Sequence, residues 1–307
     1  MLFKLYIDYQ IAVILILTVC FSKTMEKNRT IVVTGGTAGI GEEAAKTLAE
    51  MGFRIVIVGR NSSKGIKLQE EVSLKTKSNN FSYIQADLSS QKEVRRVAKQ
   101  INNSFECVDV LLNNAGAVFT KREISLDGIE MTFALNHLSY FLLTKLLLEK
   151  LRKSTSARII NVSSVAHKHA DLDFSDIQFK QRNYMLGWKA YAQSKLCNIM
   201  FTYALDRKLS GSGVAVNSLH PGFVNSKFGD NNKGLGAAAF QFLKNTTGIS
   251  VKQGAKTSIF LATSVDLENK SGGYYYKCRE VSSSQASYNH LAQKKLWDIS
   301  EKLIRKN

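Results

Sequence analysis

Thr30-Ile31-Val32-Val33-Thr34-Gly35-Gly36-Thr37-Ala38-Gly39-Ile40-Gly41 is the stretch that decides the architecture of this chain. Thr30 to Thr34 form a β-branched run without polar alternation, the pattern of a short strand covered on both faces. A glycine cluster follows, and residues 41–51 then place Ala44, Ala45, Leu48 and Met51 on one helical face. A strand, a glycine turn and a helix in that order make the geometry a dinucleotide pyrophosphate needs. Gly35 permits the tight turn, Gly39 lets backbone approach the phosphates, and Gly41 lets helix and strand pack closely. The start of the helix offers free N–H groups and a partial positive charge.

The alternation continues outward from that turn. Residues 54–59 (RIVIVG), 81–86, 108–113, 158–163 (RIINVS) and 214–219 (VAVNSL) read as further strands, with 273–276 as a candidate seventh. Helices are expected near 91–105, across 126–151 and over 191–209. Strand–helix alternation at this spacing implies right-handed crossovers and an α/β fold with a doubly wound parallel sheet of six to seven strands. Neither a repeat nor a linker interrupts it, so residues 29–307 read as a single domain behind an N-terminal apolar segment, residues 1–28. With 44% hydrophobic and 22% charged residues and one proline, the 307-residue chain is neither disordered nor built on proline-rich linkers.

The second strand bears on the cofactor. It ends Gly59-Arg60-Asn61, without the carboxylate that NAD-binding folds place there for the ribose 2′-hydroxyl. Arg60 can pair with a 2′-phosphate and stack on adenine, so NADP(H) is the expected cofactor. The chain carries 42 Lys and Arg against 25 Asp and Glu, a net +17, but the basic residues are scattered. A solvated basic surface is the first reading and attraction to a membrane surface the second. No nucleic-acid signature is present, so nucleic acid is not an expected partner. Four distant cysteines exclude a zinc ribbon or disulfide framework and suit a reducing compartment, and His167-x-His169 is too weak a pattern to predict a metal.

The first 22 residues are distinct. From Ile11 to Phe21 only Thr18 breaks an apolar run, and Leu2 to Tyr9 extends it past Lys4 and Asp8. It reads as an uncleaved signal-anchor, a cleaved signal peptide, or a helix lying on the bilayer or the protein. Lys23, Lys27 and Arg29 follow the run, so as an anchor it would leave the body of the protein facing the cytosol. Sequons at Asn61 and Asn161 fall at cofactor-proximal or strand positions, where a glycan would be harmful.

The T-G-x-x-x-G-x-G turn, Asp87 after the third strand, Asn113-Asn114-Ala115-Gly116 after the fourth and Tyr191-Ala192-Gln193-Ser194-Lys195 together resemble the short-chain dehydrogenase/reductase family, from about residue 29 to 303. Asn161-Val162-Ser163-Ser164-Val165-Ala166-His167, residues 172–178 (LDFSDIQ), His220-Pro221-Gly222 and residues 295–300 (KLWDIS) are similar to its membrane-anchored, retinol dehydrogenase-like branch. The resemblance implies a Rossmann-type fold and membrane association, with the endoplasmic reticulum as the expected membrane. It implies cofactor contacts from Gly35, Thr37, Gly39, Ile40, Gly41, Arg60, Asp87, Leu88, Asn114, Gly116, Tyr191, Lys195 and Val224. Thr37 departs from the asparagine common in relatives but keeps a hydroxyl for the turn.

Tyr191 and Lys195 share one helix face, and an ammonium beside a phenol favours the phenolate, so the tyrosine is expected to titrate below its usual value near 10 and exchange a proton with a substrate oxygen. Ser163 and Ser164 end the fifth strand with side chains on opposite sheet faces, so only one should bond that oxygen, and the resemblance gives the role to the second of the pair, Ser164. By resemblance, Lys195 also bonds the nicotinamide ribose, and Asn136 holds a water linking Lys195 to solvent. The intact set Asn136, Ser164, Tyr191 and Lys195 favours catalysis over a non-catalytic NADP(H)-sensing or membrane-associated scaffold.

The segment from His167 to Lys189 is longer than in compact members and supplies Met185, Leu186 and Trp188 as one pocket wall. Phe223, Val224, Phe228, Leu235, Phe240, Phe242 and Leu243 form the second, with Ser164, Met185, Trp188 and Phe228 as the substrate-binding residues. An apolar pocket beside a membrane segment implies a lipophilic alcohol or aldehyde as substrate. The helices over 126–151 and 191–209 are candidates for pairing in a homodimer, as in many relatives.

Overall fold

A computed structural model describes residues 29–225, 248–268 and 270–305. The N-terminal segment, and Phe228, Leu235, Phe240, Phe242 and Leu243 of the second pocket wall, lie outside the described residues.

The strands are β1 (Thr30–Thr34), β2 (Arg54–Gly59), β3 (Phe81–Gln85), β4 (Val110–Asn113), β5 (Ala157–Val162), β6 (Val214–Leu219), β7 (Tyr274–Tyr276) and β8 (Arg279–Glu280). They form one sheet in the order β3-β2-β1-β4-β5-β6-β7-β8, parallel except for β8, which pairs antiparallel with β7. The eighth strand was not expected: at two residues it is too short to carry a hydrophobic pattern, and both residues are exposed. The chain runs from β1 outward to β3, then crosses back to β4 on the other side of β1. That reversal opens a crevice at the carboxyl ends of β1 and β4, where open α/β sheets bind ligands.

Helices cover both faces. Ile31 and Val33 point into the layer made by α1 (Gly39–Glu50), α2 (Ser62–Thr76) and α6 (Val251–Thr263). Val32 points into the opposite layer, made by α3 (Gln91–Ser104), α4 (Met131–Arg152), α5 (Trp188–Lys208) and α7 (His290–Ile304). Helix α5 is buried at every position from Ala190 to Leu205. Part of its cover is α7, whose Trp297 packs edge-on against Phe141 of α4 and lies 5.9 Å from the ring of Phe201 on α5.

Helix α4 begins at Met131, five residues later than the apolar pattern suggests. Gly128 is left-handed at φ 73, the Ser125 N–H donates to Ile129 O, and Leu126 is 93% exposed. The Glu130 carboxylate then accepts from the N–H groups of Thr132 and Phe133 at 2.8 and 2.7 Å, so the cap and not the first leucine sets the helix start. Inside α4, residues Ala134–Leu138 form a π turn that carries Asn136.

Both sequon asparagines have internal partners. The Asn61 side chain caps α2, accepting from Lys64 N at 2.9 Å. Asn161, with no exposure, lies in a buried polar chain: Asn113 Nδ2 donates to Thr144 Oγ1 (3.0 Å) and to Asn161 Oδ1 (2.9 Å), and Asn161 Nδ2 donates to Thr202 Oγ1 (2.9 Å). The chain joins α4, β4, β5 and α5 through the sheet. Asn161→Ala removes two of these bonds and is expected to cost about 2 kcal/mol. Thermal melting should fall by roughly 4–8 °C; an unchanged melting temperature would show that the chain contributes nothing to stability.

Candidate active site

The crevice is built by cross-bonding of its two loops. The Thr34 hydroxyl accepts from the N–H groups of Asn114 (2.8 Å) and Ala115 (3.0 Å), while Asn114 Nδ2 donates back to Thr34 O (2.8 Å) and Gly35 O (3.3 Å). This leaves no room for side chains in the glycine turn. A Cβ on Gly35, left-handed at φ 67, would lie 2.8 Å from Ala115 Cα, and one on Gly41 would lie 2.3 Å from Asn114 Nδ2. Gly116 closes the other side, where a Cβ would lie 3.3 Å from both Asn136 Oδ1 and Lys195 Nζ.

The observed features fit a dinucleotide phosphate. Among the described residues no side chain caps the N-terminus of α1, so its first amides face the crevice with the helix dipole behind them. Ile40 and Val224 meet over Gly254 of α6, where a Cβ would lie 3.0 Å from Ile40 Cγ2 and 2.6 Å from Val224 Cγ2. Thr37 packs on Gly59 at the end of β2, and Arg60 is exposed just beyond it. Asp87 is exposed, its carboxylate accepting from Ser89 N (3.0 Å) and Oγ (2.8 Å), while Leu88 is buried in the core.

The four expected catalytic residues come together beside the cradle. Ser163 is committed inward, donating from Oγ to Lys195 O at 2.7 Å. Ser164 caps a short 3-10 turn, accepting from Ala166 N at 3.2 Å, and shares a hydrogen bond with Tyr191. Lys195 Nζ lies 5.7 Å from the Tyr191 ring centroid and donates to Val162 O at 3.0 Å. Its electrostatics differ from the expectation. Burial pushes the Tyr191 phenol up to about 12, with the Ser164 hydrogen bond pulling weakly the other way. The same burial lowers Lys195 to about 7. Desolvation therefore outweighs the expected phenol–ammonium attraction.

Asn136 is held on several sides. Its Oδ1 accepts from Ala117 N (2.9 Å), its Nδ2 donates to Ala117 O (3.0 Å) and Ser194 Oγ (3.1 Å), and its carbonyl accepts from Asn198 Nδ2 (2.9 Å). The side chain is a brace between the β4 loop and α5. Sequence reasoning missed two polar residues next to the site. His167 lies between Ser164 O, 2.7 Å from Nδ1, and Ser284 N–H, which donates to Nε2 at 3.0 Å. Asn198 follows Lys195 on α5 and was hidden in an apolar run.

On the substrate side, Trp188 lies 6.2 Å from Tyr191, ring centroid to centroid. Met185 and Leu186 are largely exposed and both left-handed, at φ 47 and 52, which is strained backbone for such residues. The segment before them is ordered by Asp176, which accepts from the N–H groups of Lys180, Gln181 and Arg182, and by Arg182, which donates to Gln193 of α5.

Comparison with known proteins identifies relatives over most of the chain. The short chain dehydrogenase family pattern matches residues 29–176. Human retinol dehydrogenase 11 is 38% identical over 288 residues, covering 93% of this chain and 89% of that protein. Human retinol dehydrogenase 13 is 36% identical over 292 residues, covering 93% and 87%. The Brassica napus chloroplastic short-chain dehydrogenase TIC 32 A is 36% identical, covering 91% and 89%. A solved Mycobacterium paratuberculosis protein of uncharacterised function superposes with a TM-score of 0.72 at 27% identity, covering 90% of this chain and 93% of its own. The chain belongs to the short-chain dehydrogenase family and is an oxidoreductase related to the retinol dehydrogenases.

Burial sets a pH limit on stability. His137 and His220, both lowered from 6.5 to about 4 chiefly by burial, stay neutral in the folded protein while the unfolded chain takes up protons. The stability they contribute is complete above pH 6.5 and is lost as pH falls toward 4. In urea titrations across that window, His137→Phe should show a shallower decline than the parent; an identical slope would remove His137 as a cause.

Proposed function

We propose that the chain is an NADP(H)-dependent oxidoreductase, acting between a lipophilic alcohol and its aldehyde or ketone, with a retinol dehydrogenase-like role. The observation that carries this is the hydrogen-bonded Ser164–Tyr191 pair, with Lys195 Nζ 5.7 Å from the Tyr191 ring centroid, beside a glycine turn too tight for side chains of its own. The cradle residues Gly35, Gly39, Ile40, Gly41, Asn114 and Gly116 would hold the pyrophosphate and nicotinamide end, and Thr37, Arg60, Asp87 and Leu88 the adenosine end. The absence of a carboxylate at the end of β2 and the exposure of Arg60 support a 2′-phosphorylated cofactor. An Escherichia coli short chain dehydrogenase of the same fold was solved as a complex with NADPH, at 22% identity and a TM-score of 0.64.

The bound dinucleotide supplies or takes up the hydride. Ser164 Oγ and Tyr191 Oη converge on the substrate oxygen. In reduction, Ser164 donates a hydrogen bond to the carbonyl oxygen and Tyr191 delivers its proton as the carbon is reduced; in oxidation the alcohol proton passes the other way. A phenol at about 12 keeps its proton at neutral pH, which suits the reductive direction. Lys195 at about 7 is partly charged there, and its ammonium stabilises the phenolate left behind.

Exposed apolar groups near the catalytic pair, Val165, Met185, Leu186 and Trp188, support a lipophilic substrate. Retinoids, sterols, polyprenals and lipid aldehydes all satisfy that chemistry, with Met185, Trp188 and Phe228 as pocket residues. We further propose membrane attachment through residues 1–28, at the endoplasmic reticulum with the catalytic body toward the cytosol. Because α5 is already buried from Ala190 to Leu205, any homodimer is proposed to use a surface other than α5.

A panel of retinaldehyde, sterol, polyprenal and medium-chain aldehyde substrates should show turnover with NADPH above NADH. Tyr191→Phe should lower kcat by about 100-fold or more while NADPH still binds, and unchanged turnover would defeat the mechanism. Arg60→Ala should raise KM for NADPH by about 10-fold and leave that for NADH near its starting value; an equal effect on both would remove the arginine from 2′-phosphate recognition.

A further inference from the structure

His137 is fully buried on α4, immediately after Asn136, and takes no part in the chemistry above. Asn198 is fully buried one helical turn beyond Lys195. The two side chains meet, with His137 Nδ1 3.3 Å from Asn198 Oδ1, and His137 Nε2 is 3.0 Å from Ser300 Oγ of α7. The Asn198 amide points the other way. Its Nδ2 donates to Asn136 O at 2.9 Å and to Val162 O at 3.4 Å, and Val162 O is the carbonyl that also receives Lys195 Nζ at 3.0 Å.

The chemistry of these partners fixes every orientation. Two carbonyls can only accept, so Asn198 must turn its NH2 group toward them and its oxygen toward His137. His137 must then carry its proton on Nδ1 and accept at Nε2, so the Ser300 hydroxyl, which also lies 2.8 Å from Leu296 O within its own helix, turns its proton to the imidazole. Neutral histidine has one donor and one acceptor, and both are used. The π turn over Ala134–Leu138 widens the helix at this point, and the Asn136 carbonyl within it takes the Asn198 amide.

We infer that Asn198, oriented by His137 and through it by Ser300 of the C-terminal helix, is a positioning residue that fixes the Asn136 and Val162 carbonyls and so sets the placement of Asn136 and Lys195 for the reaction. The inference rests on the oxidoreductase mechanism proposed above, but its geometry can be tested without turnover. Leucine at 198 would fill similar space and leave the Asn136 carbonyl buried without the amide that meets it. The brace between Asn136 and Ala117 would then loosen. Phenylalanine at 137 would fit among Phe133, Phe141 and Phe201 but would leave Asn198 free to rotate, whereas glutamine could still donate to Asn198 Oδ1.

The test uses the full-length protein in detergent and two measurements. In Asn198→Leu, hydrogen exchange of peptides covering residues 115–118 and 134–138 should accelerate by about 10-fold, and kcat for an aldehyde with NADPH should fall by about 10-fold, with both KM values within about twofold of the parent. His137→Phe should reproduce a smaller version of both effects, and His137→Gln should recover most of the loss. Tyr203→Phe, which removes a buried hydroxyl on the same helix that meets Ser283 Oγ, is the structural control. Unchanged exchange in both peptides, or a fall in kcat no larger than in Tyr203→Phe, would overturn the inference. If Asn198→Leu does not fold, His137→Phe and Ser300→Ala carry the same comparison. A parent protein without turnover on any substrate would sink the oxidoreductase mechanism, while the exchange data would still decide the brace.

Discussion

Lys195 has to be kept inside the protein, and much of the site is arranged around that constraint. An ammonium on a helix buried from Ala190 to Leu205 loses its water and titrates near 7. What replaces the water is a set of fixed groups: the Val162 carbonyl, the Tyr191 ring at 5.7 Å and the Tyr140 ring at 5.8 Å. The same burial holds the proton on Tyr191. One desolvated pocket thus makes the phenol a reluctant acid and the amine a partial cation, driving two groups with usual values of 10.0 and 10.5 apart, the phenol up to about 12 and the amine down to about 7.

The cofactor cradle was legible from the residues because glycine turns are decided by local sterics. Gly35 and Gly41 are required by contacts that any side chain would violate, and those contacts come from the neighbouring loop that the strand order brings alongside. The strand pattern was legible for a similar reason: both faces of β1 are covered, so its hydrophobic run is continuous. The start of α4 was not. Leu126 looks like a core leucine, yet the Gly128 turn and the Glu130 cap hold it in solvent. Which of two nearby signals wins there depends on tertiary contacts, since the Glu130 carboxylate also accepts from the Tyr184 hydroxyl far along the chain.

The polar residues behind the site were hidden for a different reason. Asn198 and His137 sit in helices whose pattern is apolar all round, so each looks like a packing exception until its partners are known. The titration of Tyr191 was misjudged because spacing along a helix reports neighbours but not water. The long segment before α5 lies between these cases. Its excess length was visible, but its order comes from Asp176 and Arg182, and its strain at Met185 and Leu186 is a property of backbone angles that residue type does not announce.

Helix α7 follows every strand of the sheet along the chain, yet Ser300 reaches the imidazole next to Asn136, and Trp297 closes the aromatic cluster over α4 and α5. The carbonyls of Leu303 and Ile304 are then tied down by Gln91 and Arg95 of α3. During synthesis the nucleotide cradle, made of residues before 120, can form long before the interior beside it is sealed. The interior beside the catalytic residues is therefore closed only when α7 docks, so a chain cut before it would present Phe141 and Phe201 to chaperones with the nucleotide cradle already in place.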